Sequence, residues 1–350
     1  MRNIYFMASL ATLLLVGCGK DDGSYKFENS EPGSKAIING TINEATDIPK
    51  SRAANQFWAV GDKIGITCLD SHSPNYDQKN FGYTTSSVNG EFTAITPSNE
   101  IWFLGANTFQ VSAYYPYTGA AGIIPNIIEK ETNTENQLLE NQPNIDFLYA
   151  STTASRENPC VDLTFFHKMS RLVIQFKSQQ GPNGEPLISD MGTIDCYLMK
   201  VIKTGNFNPI TGIATADEKD KSTDNNIRQT VNKENGYKLS LILYPQPKIN
   251  AQLDAILINA DNPKGIYYKI PLENLHLEAG RSYNYTITAK ATADNVIKLE
   301  INEGTITDWT EMPDVEVDSN PGRVQTTVEG TDINEWEGDG EVDVETKDAN

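Results

Sequence analysis

Val161, Leu163, Phe165, His167 and Met169 occupy every second position of one stretch, with Asp162, Thr164, Phe166 and Lys168 between them. A period of two places the first set on one face of an extended strand and the second set on the other, whereas a helix would scatter both. A stretch of this kind obliges the chain to build sheets. The pattern then breaks, because Leu172, Ile174 and Phe176 take the opposite parity. A one-residue slip inside a continuous strand would turn its buried face to solvent, so a turn or bulge is predicted near residues 168–171.

The same signal recurs along the chain. Gly61-Asp62 forms a turn before the alternating Ile64 and Ile66, and further strands are predicted at 90–95, 101–104, 109–117 and 146–150. Beyond the slip they are predicted at 194–202, 237–244, 253–260, 266–270, 283–288 and 298–301. Residues 118–144 form a long connection with a short helix expected around 137–141, Gly181-Pro182-Asn183-Gly184 is a turn, and 217–226 is a charged loop. Helical periodicity is scarce, while Thr, Ile, Val, Tyr and Asn are common. The expected class is all-β, with two tandem β-sandwich domains over 36–158 and 159–312. A chain of 350 residues suits two domains at about 150 residues each.

The beginning of the chain sets the compartment. Met1-Arg2-Asn3 is followed by an apolar run of thirteen residues, Ile4 to Val16. That is short of the roughly 20 needed to span a bilayer and fits the core of a signal peptide. Leu15-Val16-Gly17-Cys18 matches a bacterial lipobox, which makes 1–17 a lipoprotein signal peptide and Cys18 the acylated residue, palmitate included. Residues 18–35 are a polar tether. Ala36-Ile37-Ile38-Asn39-Gly40-Thr41-Ile42 is a short strand, with Ile38, Gly40 and Ile42 in one phase. Residues 43–56 are polar again and contain Arg52-Ala53, a site open to a trypsin-like protease. A strand isolated between two linkers must pair with something downstream or be removable.

The end of the chain is acidic. Residues 311–350 hold thirteen acids and two bases, so they carry −11 of the net −19. Such a charge repels phosphate and excludes nucleic acid as a partner. The tail, 313–350, still has structure in its sequence. Ile306-Thr-Asp-Trp309 is followed six residues after its Trp by Val315-Glu-Val317, and Ile333-Asn-Glu-Trp336 six residues after its Trp by Val342-Asp-Val344. Each Trp-anchored, alternating segment is a candidate to lie in an apolar groove.

No constellation for catalysis emerges. His72, His167 and His276 lack metal-ligand spacing, and His167, on the apolar face of its strand, reads as a hydrogen-bonded core residue. Asp217, Asp220 and Asp224 lack the spacing of a calcium loop. There is no nucleophile elbow, phosphate loop or dinucleotide fingerprint. With Cys18 acylated, Cys68, Cys160 and Cys196 remain as small apolar residues with at most one disulfide among them. The chain is expected to have no enzymatic activity, cofactor or metal.

Six motifs in order carry a resemblance. They are Phe57-Trp58-Ala-Val-Gly61-Asp62-Lys-Ile64-Gly65-Ile66, Ala113-Tyr114-Tyr115-Pro116-Tyr117, Asp146-Phe-Leu-Tyr-Ala150, Phe166-His167-Lys-Met-Ser170-Arg-Leu172-Val173-Ile174, Leu277-Glu-Ala279-Gly280-Arg281-Ser-Tyr283-Asn-Tyr285 and Ile306-Thr-Asp-Trp309. Together they resemble the fimbrillin family, the subunits of type V pili, over residues 36–310. The resemblance implies a transthyretin-like topology for both sandwiches and a structural role in a fimbrium acting in cell adhesion. It also implies export to the outer membrane as a lipoprotein and assembly by donor strand exchange with other pilus subunits. In that scheme an Arg-specific protease cuts at Arg52–Ala53, the strand 36–42 with Ile38 and Ile42 leaves, and a neighbour's C-terminal strand fills the groove. The donor would lie within 315–346, carried by Val315 and Val317 or by Val342 and Val344. The alternative is a permanently lipid-anchored surface module that binds a glycan or host protein through an aromatic platform, for which Trp102, Tyr114, Tyr115 and Tyr117 are the candidates.

Overall fold

The parity slip sends the chain from one hydrophobic core into another. In a computed structural model, which describes residues 33–43, 58–70, 77–105, 107–219, 226–291, 297–302, 304–309 and 331–332, one strand ends at His167 and the next begins at Ser170. Val161, Leu163 and Phe165 point into a first core, and Leu172, Ile174 and Phe176 into a second. The turn at 168–169 absorbs the slip, as the alternation required.

Before that turn the chain forms β1 (Ser34–Lys35), β2 (Ile37–Ile42), β3 (Lys63–Asp70), β4 (Gln78–Thr85) and β5 (Glu91–Ala94). It continues with β6 (Trp102–Phe103), β7 (Thr108–Tyr115), β8 (Ile128–Glu131), β9 (Leu148–Ser155) and β10 (Cys160–His167). Seven of these close on themselves in the order β10-β2-β5-β4-β3-β7-β9. The first half was expected to be a sandwich; its hydrogen-bonded ladder instead returns to its start, because β10 pairs with both β9 and β2. For the same reason 160–167 lies with the first unit, and the chain crosses to the second at the turn rather than at 158/159.

After the turn come β11 (Ser170–Ser178), β12 (Thr193–Met199), β13 (Thr204–Asn208), β14 (Ile213–Ala216), β15 (Asn226–Val231) and β16 (Lys238–Leu243). They are followed by β17 (Gln246–Ile258), β18 (Ile266–Leu277), β19 (Arg281–Ala291), β20 (Ile297–Ile301), β21 (Thr305–Asp308) and, in the tail, β22 (Thr331–Asp332). One sheet runs β16-β11-β19-β20 with β21 on β19, and the other β15-β12-β17-β18-β22. Both contribute to one core, which is the sandwich expected of this half. The chain is thus all-β, as the period-two patterns predicted. Among the described residues no helix is long and apolar enough to cross a membrane.

The two halves are locked together. β8 pairs with β13 and β13 with β14, so one small sheet draws strands from both. A third core lies there, in which Phe147 stacks on Phe207 at 4.6 Å between centroids and Trp309 packs at the root of the tail. The helix expected at 137–141 is two short 3-10 turns, Glu135–Gln137 and Gln142–Asn144. Their glutamines act as a substitute strand. The Gln137 side chain donates to the Ile242 carbonyl at 2.7 Å and accepts from its N–H at 2.9 Å, while Gln142 donates to the Ser240 carbonyl at 2.8 Å. The edge of β16 is therefore covered by side chains.

Cys68 and Cys196 are buried free thiols in the first and second cores. Cys160, at the start of β10, is only partly buried. Burial pushes the Cys68 and Cys196 thiols well above the ordinary range, so neither supplies thiolate at neutral pH. Both are expected to resist an alkylating reagent until the chain is denatured. Labelling of the native protein at the unfolded rate would contradict this, and peptide mass spectrometry reads it.

Candidate functional site

The strand β2 completes the barrel. It lies parallel to β10 across six register positions, from Ile37 opposite Cys160 to Ile42 opposite Phe165. On its other side it meets β5 at Ile38 and Asn39 only. Bonds at its ends fix it. The Ile37 N–H donates to the Pro159 carbonyl at 3.0 Å, and the Asn43 N–H to the Phe165 carbonyl at 2.8 Å. Asn39, on the outer face, donates to the Asp162 carboxylate at 2.9 Å. Upstream, the Ala36 N–H reaches the Ile101 carbonyl at 2.9 Å, and Lys35 pairs with Glu100 at 2.7 Å.

The phase read from the sequence is the buried phase. Ile38 is 3% and Ile42 7% exposed, and Gly40 lies between them on the same face. Gly40 is small for a reason: a Cβ there would come within 3.0 Å of the rings of both Phe92 and Phe165. Burying the two isoleucines contributes about 1.5–3 kcal/mol each. Emptied of β2, the barrel would present an apolar slot with unpaired backbone groups along β10.

An aromatic box forms the floor. The indole of Trp58 meets Phe92 at 5.0 Å, Phe165 at 5.1 Å and Tyr115 at 5.7 Å, edge to face in each case. Its N–H donates to the Gly40 carbonyl at 2.7 Å. Gly90 stands beside it with φ at +79°, and its carbonyl accepts from the Gly40 N–H at 2.8 Å. Tyr115 donates its hydroxyl to Asp62 at 3.2 Å. Burial raises the Asp62 carboxyl above its usual value despite hydrogen bonds from the Ala59 N–H and from Tyr115. Burial, with the nearby Asp62 and Asp146 carboxylates, raises the Tyr115 hydroxyl. Tyr114 is pushed up to about 12, mainly by burial. These tyrosines keep their protons and serve as structural donors.

The aromatic platform does not form as proposed. Tyr114 and Tyr115 are neighbours in β7, and both are buried, Tyr114 in the third core and Tyr115 in the barrel. Trp102 and Tyr117 are only partly exposed, and Tyr117 packs against the third core. His167 is a hydrogen-bonded core residue: its Nδ1 lies 2.8 Å from the Asp146 carboxylate, and its ring stacks on Trp309 at 4.1 Å. Arg171 lies over the same indole at 5.5 Å, and the Trp309 N–H donates from the backbone to the Gly280 carbonyl at 2.7 Å. The root of the tail is thereby pinned to the junction of the two halves. His276 is exposed on β18 and Asp217 lies at a turn, and among the described residues no group of three or more His, Cys, Asp or Glu gathers as metal ligands.

Cys18, Arg52, Ala53, Val315, Val317, Val342 and Val344 lie outside the described residues, as do His72, Asp220 and Asp224. Ile38 and Ile42 are the predicted site residues that the structure brings together. The wall around them, Trp58, Gly90, Phe92 and Phe165, had no site role in the sequence, where Phe165 belonged to an alternating strand and Trp58 to a family motif.

Known structures share this architecture. A candidate cell adhesion protein from Bacteroides ovatus superposes with a TM-score of 0.64 at 25% identity, over 80% of this chain and 99% of that one. Another from Bacteroides uniformis gives a TM-score of 0.58 at 22% identity, over 79% and 98%. No curated protein sequence matches the chain. A family model described as fimbrillin-like matches residues 51–309, from just before the Trp58 floor to the Trp309 root. The chain therefore belongs to the fimbrillin-like family.

Proposed function

We propose that the chain is a non-enzymatic subunit of an adhesive pilus, exported to the outer membrane as a lipoprotein on Cys18 and assembled by exchange of β2. The observation that carries this reading is the place of β2. It is a strand from the beginning of the chain, seated between β10 and β5, with Ile38 and Ile42 filling the slot. The family match starts at residue 51, so β2 lies outside the matched body.

In this reading residues 18–35 are the tether, β2 is a placeholder and the transthyretin-like body begins at Ala53. While the chain is intact, β2 is held at an effective concentration on the order of millimolar by its own linker. A cut at Arg52 turns it into a dissociable ligand. A tail strand from another subunit then adds to the same edge, supplying backbone bonds and apolar side chains in the same phase. Val315 with Val317, and Val342 with Val344, are the two candidate donors. Polymerisation would carry the subunit from the lipid-anchored surface into the fimbrium.

One comparison of three chains tests this. The wild type should show Ala53 as its surface N-terminus and form heat-labile ladders on gels. Arg52→Ala should retain Cys18 as its N-terminus and form none. Deletion of 337–350 should abolish ladders from a folded, cut subunit if Val342 and Val344 donate; persistence would assign Val315 and Val317. Ladders from uncut Arg52→Ala chains would overturn the mechanism.

A further inference from the structure

β18 is an outer strand of its sheet. One side pairs with β17, and on the other side, among the described residues, it meets only Thr331 and Asp332 of the tail. Such an edge offers a row of N–H and C=O groups to any extended segment. The contact is antiparallel, with Thr331 opposite Tyr267 and Asp332 opposite Ile266. Two pairs define a register. Antiparallel partners advance in opposite directions, so a strand continued to residues before Thr331 would run along β18 from Tyr268 onward.

That register matches chemistry on both faces. Continued past Thr331, it would put Glu329 opposite Lys269, Val328 opposite Ile270 and Thr326 opposite Leu272. Directly opposed side chains share a face of the sheet. Ile270 and Leu272 are buried and Lys269 is exposed. In that register Val328 would join the apolar face, and Glu329 would stand beside a lysine on the outer face. A slip of one residue would set Glu329 against Ile270 or Tyr268 and forfeit both matches. Pro271 lacks an N–H, so once the segment docks and β18 has a neighbour on each side the ladder is short of one bond at that position.

We propose that the outer edge of β18 is a docking surface for this chain's own tail segment 326–332, which adds to it as an antiparallel strand within one subunit. The surface is separate from the β2 slot and does not depend on the pilus reading. While occupied, it shields the edge from strands of other chains, and it fixes the course of the tail some twenty residues past Trp309 (an interval of about that length, by extended-chain reach, can cross the sandwich).

Carbodiimide coupling of the full-length chain tests it. The reagent joins a carboxylate to an amine in contact as an amide, and takes up the displaced water as a urea. The Lys35–Glu100 and Lys290–Glu300 ion pairs serve as internal standards. Peptide mass spectrometry should find a Lys269–Glu329 link beside those two. In a mixture of unlabelled and 15N-labelled chains, each linked peptide should carry one label only. Val328→Asn, which places an amide on the apolar face, should lower the yield of that link by about threefold or more while leaving the standards unchanged. Coupling of the standards without the 269–329 link overturns the proposal. A mixed-label link overturns it too, because the occupant is then the tail of a second copy.

Discussion

Trp58→Ala is expected to destabilise the protein by about 3–5 kcal/mol, the usual loss for a large aromatic removed from a core. The indole is 3% exposed and touches three other rings, so the cavity cannot collapse without moving Phe92 or Phe165, each of which also walls the β2 slot. The same change removes the hydrogen bond to the Gly40 carbonyl. Trp58→Phe separates these effects. It keeps most of the ring contact and loses the N–H, which costs about 0.5–1.5 kcal/mol. Urea denaturation gives both numbers. An alanine variant unfolding at the wild-type midpoint would mean that the slot is not built on this residue.

Gly90→Ala should strike β2 from the other side. A Cβ at position 90 would lie 1.8 Å from the Gly40 carbonyl oxygen and 2.8 Å from Trp58, and the backbone there is left-handed, at φ +79°. The conformation alone costs about 1–2 kcal/mol for an L-residue, and forced overpacking typically adds 1–3 kcal/mol, so about 2–5 kcal/mol is expected. The obstacle is backbone, so β2 has to shift. The loss should therefore appear first as faster hydrogen exchange at the amides of β2, Gly40 above all, with β12 and β17 of the second half unchanged. Uniform acceleration across both halves would show instead that β2 is not a separable element.

Much of this fold was legible in the chain. The slip between Phe165 and Leu172 located a turn, and that turn is where the chain changes cores. Ile38, Gly40 and Ile42 announced a strand with one buried face. Its partners were not legible, because β2 pairs with residues 160–165, far along the chain, and local alternation carries no address. β13 was missed since Phe207 is its one large apolar residue, and β4 because Gln78-Lys-Asn-Phe-Gly-Tyr-Thr-Thr does not alternate cleanly. Tyr114 and Tyr115 show a different limit. Adjacent strand residues face opposite ways, which favours one outward tyrosine, but the third core covers the outside of the barrel and buries both. The candidate site was half legible: the strand with Ile38 and Ile42 could be read, and the aromatic box against which it packs is a product of tertiary packing.

The parallel register of β2 has a mechanical meaning. Six consecutive positions face β10, and bonds from Ile37 and Asn43 hold both ends. A pull along the axis of the strand loads these bonds together, in shear, so they must fail almost at once. A pull at right angles peels them one after another. Whatever strand occupies this slot would resist tension directed along its length, yet could be displaced gradually by a competitor advancing from one end. Strength under load and ease of replacement would then come from one geometry, selected by the direction of the force.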